Sequence, residues 1–216
     1  MARHKIQNTP SIRRMPSYVH KLMLLHAAGE KFTSAAKLAE YMDLDPIIVR
    51  KDFELTGIKG RPGIGYKTSE LIKALRRFLG WNETKTAFML GAGSLGSALL
   101  GYEEFAEYGL LITCLFDSDP DKIGTMVHGH EVIDIRRLPE YAMRYKPQLA
   151  VICVPSSCAQ MLADQLIECG VRVFWNFANT CLQVPPDVVV QREVIAGGFA
   201  VLSRKFKMHA HGDDLD

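Results

Sequence analysis

Thr86-Ala-Phe-Met-Leu-Gly-Ala-Gly-Ser-Leu-Gly96 begins as a strand and ends as the opening of a helix. Thr86 to Leu90 is a short apolar run. It empties into the glycine-rich Gly91-Ala-Gly93-Ser-Leu-Gly96, and Ser97-Ala-Leu-Leu100 continues with helix formers. G-x-G-x-x-G carries weight only in this strand–turn–helix context. The first glycine permits a tight turn, the second lets backbone approach a pyrophosphate, and the third lets the helix lie close on its strand. The first helical turn then directs N–H groups and a positive dipole end at the phosphates. A second apolar run, Leu111 to Phe116, ends at Asp117, 21 residues past Gly96. A carboxylate there accepts hydrogen bonds from an adenosine ribose and repels a 2′-phosphate, which favours NAD(H) over NADP(H). The bland alternative is a glycine-rich turn that binds nothing, or one that binds coenzyme A.

The 216 residues allow one or two domains, and 48% hydrophobic residues suffice for a packed core. Apolar runs stay well short of the ~20 residues of a membrane span. Met1 to Lys5 precedes no apolar stretch of the kind a secretory leader needs, so a cytoplasmic location is expected. The net charge is only +2, but it is unevenly spread. Residues 1–80 hold 15 Lys+Arg against 7 Asp+Glu, and residues 81–216 hold 11 against 17. A basic first part joined to an acidic second part is the footprint of a nucleic-acid-binding module carried by another domain. Cys114, Cys153, Cys158, Cys169 and Cys181 show no C-x-x-C pair, and no metal site is expected. Cys114 and Cys153 sit in apolar strand runs as small core residues.

Within residues 1–80, Ala2 to Arg14 is polar and reads as an arm with little structure. Pro16 to Gly29 reads as a helix with one apolar face. Ser34 starts a second helix, Ser34 to Tyr41, and Met42-Asp-Leu44 makes a three-residue turn. Asp45 then caps a third helix, Pro46 to about Thr56, with proline at its first position. Two short helices joined by a short turn, the second bearing Arg50 and Lys51, form a helix-turn-helix pattern. Val49 and Phe53 would anchor the second helix. Ile47 or Ile48 could touch a thymine methyl, and Arg50 could reach guanine or phosphate. An ordinary helical hairpin with solvated basic residues is the alternative. Gly57 to Tyr66 reads as a β-wing with Arg61 at its tip, where a cation can enter a narrow minor groove. Thr68 to Leu79 is a further helix.

Beyond Asp117, strands and helices alternate. Glu131 to Ile133 is a brief strand, Arg136 to Tyr145 a helix, Leu149 to Val154 a buried strand stopped by Pro155, Ser156 to Cys169 a helix, and Val171 to Trp175 a strand. This alternation means a doubly wound parallel sheet. Ligands sit beyond the carboxyl ends of such strands. Val154-Pro155 and Asn176-Phe177-Ala178 are therefore candidates for the nicotinamide region. Val188 to Gln191 is one more strand. A last helix from about Glu193 to Lys207 carries Ile195, Phe199, Leu202 and Phe206 on one stripe, with Gly197-Gly198 in its middle. The stripe either covers its own sheet or packs on a partner.

Taken together, these residues resemble the Rex family of redox-sensing transcriptional repressors over nearly the whole chain. The resemblance is carried by Arg14-Met-Pro16-Ser-Tyr18, Val49-Arg-Lys-Asp-Phe53, Lys59-Gly-Arg-Pro-Gly-Ile-Gly-Tyr66, GAGSLGSALLGY from Gly91 to Tyr102, Phe116-Asp117, Val154-Pro155 and Trp175-Asn-Phe-Ala178. It implies a homodimer on a palindromic operator, released when NADH binds and retained with NAD+. It also implies a C-terminal helix exchanged between subunits. In that family a tyrosine matched by Tyr102 often pairs with an aspartate at the start of the partner's last helix. Val194 stands at that position here, beside Glu193. Asn179 stands where proline is common, and Pro46-Ile-Ile48 replaces small polar residues.

The expected architecture is an N-terminal winged helix-turn-helix (1–80), a Rossmann-like doubly wound parallel sheet (81–192), a domain-swapped C-terminal helix (193–208) and a disordered tail (209–216). The expected cofactor set is Gly91, Ala92, Gly93, Ser94, Leu95, Gly96, Tyr102, Asp117, Val154 and Pro155. The expected DNA set is Arg14, Tyr18, Ser34, Ile47, Arg50, Lys51, Lys59 and Arg61. Two other readings compete: a small NAD-dependent oxidoreductase and a coenzyme A-binding module. The first lacks a substrate domain and an evident proton donor, since His128 and His130 fall in a surface turn.

Overall fold

Residues 8–211 are described by the structure, a computed structural model. Residues 2–7 of the expected arm and 212–216 of the expected tail lie outside the described residues. The chain divides into two units. One runs to Thr84 and includes Ala106–Gly109; the other takes Lys85–Phe105 and the chain from Leu110.

The first unit opens with α1, Thr9–Ala27. Residues 9–14 of the expected arm are helical. Pro10 lies in the first turn, where its missing N–H has no intrahelical partner to lose. Met15, Tyr18, Val19, Leu22 and Leu25 recur at helical spacing and are buried. After β1 (Phe32–Thr33), α2 spans Ala35–Met42 and α3 spans Pro46–Glu54. Ser34 caps α2 by accepting the Lys37 N–H at 3.1 Å, and Asp45 caps α3 by accepting the Ile47 N–H at 2.6 Å. Asp43 takes the left-handed conformation that ends α2, so three residues suffice to turn the chain into α3.

The wing differs from expectation. β2, Tyr66–Lys67, pairs antiparallel with β1 rather than with the chain after Gly57. Glycine and proline at 57, 60, 62 and 63 leave little for a ladder to hold. Arg61 and Gly65 instead close a tight turn through bonds of 2.7 and 2.9 Å, so Arg61 stands at the base of the turn and Pro62-Gly63 at its tip. α4, Thr68–Phe78, buries Leu71, Ala74 and Leu75. Tyr108 stacks on Trp81 at 4.1 Å, which accounts for Ala106–Gly109 belonging here.

The second unit contains β3 (Lys85–Leu90), α5 (Ser94–Leu100), α6 (Glu104–Glu107, its end in the first unit), β4 (Leu110–Asp117), β5 (Met126–Val127), β6 (His130–Asp134), α7 (Leu138–Tyr145), β7 (Leu149–Ile152), α8 (Ser156–Glu168), β8 (Val173–Asn176), β9 (Val189–Arg192) and α9 (Ala196–His211). The strands form one sheet in the order β5-β6-β4-β3-β7-β8-β9. Numbered along the chain, the parallel strands read 3-2-1-4-5-6, the doubly wound dinucleotide order. β5, absent from the sequence reading, adds an antiparallel hairpin at one edge. Its two-residue turn, His128-Gly129, has φ of 46° and 81°, which matches a hairpin turn but gives histidine an uncommon post.

β3 is apolar and buried from Ala87 to Leu90, where both its faces are covered. Phe88 and Leu90 join Leu138, Ala142, Ala159 and Leu166 from α7 and α8 on one face. Ala87 and Met89 face Leu99 and Leu100 of α5 on the other.

α9 starts and ends later than expected and runs through 211, into the expected tail. Glu193 is held back by its N–H bond to the Asn176 carbonyl, which prolongs the path of β9. Gly197 and Gly198 therefore fall in the first turn, not the middle. The stripe residues Ile195, Phe199, Leu202 and Phe206 are 60–71% exposed, so the stripe does not cover its own sheet. Among the described residues no helix is long and apolar enough to cross a membrane.

Among the described glycines, the tightest spot lies where β3 turns into α5. A Cβ on Gly96 would stand 1.9 Å from the Gly91 carbonyl oxygen, whereas one on Gly93 meets nothing within 4 Å. Gly96→Ala should therefore lower the unfolding free energy by about 2–3 kcal/mol, within the range of overpacking. In urea unfolding its midpoint should drop while that of Gly93→Ala stays at the wild-type value.

Candidate functional site

The crevice at the carboxyl ends of β3, β4 and β7 is a cleft of about 570 Å³. Gly91, Gly93, Ser94, Leu95, Asp117, Val154 and Pro155 line it, all of them expected. The space around Gly93 adjoins the first turn of α5, whose N–H groups have no intrahelical partners, an arrangement able to receive an anion. Ala92 and Gly96 serve the loop from behind. Ala92 donates its N–H to Asp117 at 2.7 Å, and Gly96 lets α5 close on Gly91. Gly91 has φ of +101°, and a Cβ there would lie 2.5 Å from the Cys153 carbonyl oxygen.

Asp117 accepts a second backbone bond, from Asp119 at 2.9 Å, and faces the Lys122 ammonium at 3.5 Å. Burial pushes its carboxyl up, but the two N–H donors and Lys122 outweigh this and hold it below the ordinary carboxylate value. It stays ionised, an acceptor for hydroxyl donors in the cleft.

Three expectations fall elsewhere. Tyr102 does not line the cleft: it is 45% exposed and donates to its own neighbour Glu104 at 2.7 Å. Asn176 is fully buried, and its amide accepts from Ala178 and donates to the Thr180 carbonyl, so it shapes its loop. Phe177 packs against Trp175 at 4.8 Å. Conversely, Lys122, Ile135, Cys158, Met161 and Leu162 line the cleft and were not anticipated. The last three recur as i, i+3, i+4 on the helix after Pro155, a spacing that could have found them.

In the first unit, α3 turns Ile47, Ile48, Arg50 and Lys51 outward and Val49, Asp52 and Phe53 inward. Lys59 and Arg61 are also exposed, and Ser34 is exposed with its oxygen engaged as a cap. Arg14 and Tyr18 are different. Tyr18 is completely buried and donates its hydroxyl to Asp52 at 2.8 Å, so it has no surface with which to meet a duplex. Arg14 closes its fork on both Asp52 oxygens at 2.8 Å. The two residues, one turn apart on α1, hold the outward-facing helix from behind. In the sequence an acid beside Lys51 reads as a surface charge, and the anchoring role of Asp52 emerges only in the fold.

A family model described as "CoA binding domain" matches residues 82–180, and one described as "Putative DNA-binding protein N-terminus" matches 9–54. The redox-sensing transcriptional repressor Rex of Treponema denticola is 44% identical over 94% of this chain and 96% of its own. The crystal structure of RSP, a Rex-family repressor, with β-NAD+ and operator DNA superimposes with a TM-score of 0.85 at 30% identity, covering 95% of each chain. RSP with β-NADH gives 0.83 at 29% identity, covering 95% of this chain and 97% of that one.

The Asp52 anchor sets a pH response. Burial raises its carboxyl, but the bonds from Arg14, Ser11 and Tyr18 win and hold it below the ordinary 3.8. A carboxyl depressed in the fold contributes stability above its ordinary range and loses it as pH falls through the folded-state value. Asp52→Asn should cost about 2 kcal/mol at neutral pH. It should also flatten part of the wild-type decline in stability below about pH 4, as read by urea unfolding across a pH series. Asp117, depressed in the same sense, supplies another part of that decline.

Proposed function

The chain belongs to the Rex family of redox-sensing transcriptional repressors, and we propose that it reads the NADH/NAD+ ratio and reports it by holding or releasing operator DNA. The observation that carries this reading is one chain with both parts. A glycine cradle and an ionised Asp117 line one cleft, and a capped helix of the other unit turns Arg50 and Lys51 outward.

The cleft fits a dinucleotide. Asp117 would hold the adenosine ribose, the Gly93 cradle the pyrophosphate, and Val154, Pro155, Met161 and Leu162 the nicotinamide end. The cofactor supplies a ring that is cationic when oxidised and neutral when reduced. An apolar end accepts the neutral ring at lower desolvation cost, and a ligand shifts an equilibrium only through such a difference between states. The role is binding without turnover. At the apolar end burial pushes the Cys153 thiol up to about 12, which leaves it protonated and inert at neutral pH.

DNA contact falls to Ile47, Arg50, Lys51, Lys59 and Arg61, with Ser34 at the start of α2. The exposed stripe of α9 calls for a second copy, and a two-fold dimer of winged helices suits a palindromic site. Tyr102, beside Glu104, has no aspartate waiting at 194; Glu193 is the nearest acid and would take that part across the dimer. The working location is the cytoplasm. The match to a coenzyme A-binding model supports a second reading, in which coenzyme A occupies the cleft; its failure to compete with NADH would remove it.

Titrating NADH into a complex of the full chain with operator DNA, at fixed salt because phosphate contacts make affinity salt-dependent, should weaken DNA binding by about tenfold or more. NAD+ should leave it in place. Unchanged DNA affinity under saturating NADH would sink the proposal.

A further inference from the structure

We infer that Lys122 is a second determinant of cofactor choice: its ammonium is positioned to receive a 2′-phosphate and is kept from doing so by Asp117. This deepens the nicotinamide reading and rests on it. Lys122 lines the cleft, and its Nζ lies 3.5 Å from Asp117 Oδ2 and 3.4 Å from Asp119 Oδ2. Its backbone is fixed by the turn that begins at Asp119. The Asp119 carbonyl accepts the N–H groups of Lys122 and Ile123 at 3.0 and 3.1 Å, while its carboxylate accepts that of Asp121 at 3.0 Å. The ammonium is therefore a cation on a rigid turn at the ribose end of the cleft, 40% exposed.

The charge balance there decides what can bind. Two carboxylates share one ammonium, leaving one net negative charge at the adenosine edge. Ribose hydroxyls donate to that charge. A 2′-phosphate, carrying about −1.5 to −2 itself, is repelled by it. Removal of the Asp117 charge would leave Lys122 balanced by Asp119 alone, with Nζ pointing where Asp117 had held it. A compact ammonium on a flexible stem can then bind a phosphate as a point charge. Ser118, also on the cleft wall, adds a hydroxyl.

The test is equilibrium binding of NADH and NADPH to the full chain, followed by nicotinamide fluorescence at low salt. Wild type should prefer NADH. Asp117→Asn, which keeps an acceptor for the Ala92 N–H, should shift the preference toward NADPH on the order of tenfold. The double variant Asp117→Asn, Lys122→Ala should lose most of that shift, as a double-mutant cycle requires of a direct partner. Lys122→Ala alone, with both backbone bonds to Asp117 intact, should weaken residual NADPH binding more than NADH binding; this arm holds even if Asp117 variants fold poorly. A shift that survives removal of Lys122, no shift in Asp117→Asn, or equal losses for both cofactors in Lys122→Ala would overturn the inference. Failure of wild type to bind NADH would overturn the nicotinamide reading itself, and the inference with it.

Discussion

No side chain can stand between residue 96 and the carbonyl of residue 91. That exclusion governs the nucleotide unit. It lets the first turn of α5 settle closely against the loop that leaves β3. The Gly91 N–H is then fixed to the Phe116 carbonyl at 2.7 Å, and the Cys153 N–H to that of Leu90 at 2.8 Å, so the ladder between strands runs on into the loop. Asp117 completes the arrangement by accepting from Ala92. Asp117 and the glycine loop are thus one bonded piece, and the same carboxylate supports the backbone and lines the cleft.

The helix-turn-helix unit depends on a different kind of constraint. α3 packs Val49 and Phe53 into an apolar core, but apolar contacts alone permit a helix to rotate slightly about its axis. Asp52 adds directional bonds to that packing, since Arg14 meets both its oxygens and Tyr18 one of them. Burying a carboxylate and a guanidinium is costly, and hydrophobic replacements of such pairs are often no less stable. The benefit here is directional. With Asp52 pinned, Ile47, Ile48, Arg50 and Lys51 leave the surface along set lines.

The fold was legible where local chemistry and periodicity agree. The alternation of strands and helices from residue 86 onward specifies a doubly wound sheet, and Ser34, Asp45 and Pro46 mark the starts of α2 and α3. The failures have physical causes. α1 was begun late because polar residues at 11, 13 and 14 obscure a stripe that starts at Met15. The wing was misassigned because glycines permit a hairpin without requiring one, and β2 found a distant partner in β1. A basic residue and an aromatic near a recognition motif suit DNA contact, which is why Arg14 and Tyr18 read that way in sequence, and only the fold reveals that Asp52 claims both. Lys122 escapes a reading of the sequence for the opposite reason: nothing in its neighbours distinguishes a cleft wall from a solvated turn.

The bare stripe of α9 makes abundance part of the device. A helix with Phe199 and Phe206 about seven-tenths open to water is a poor final state for a lone chain. When each copy needs another to cover it, fold stability and occupancy of a two-fold site both depend on protomer concentration. A cell that makes few copies would then hold a weaker and less robust switch than one that makes many, with the same nicotinamide pool.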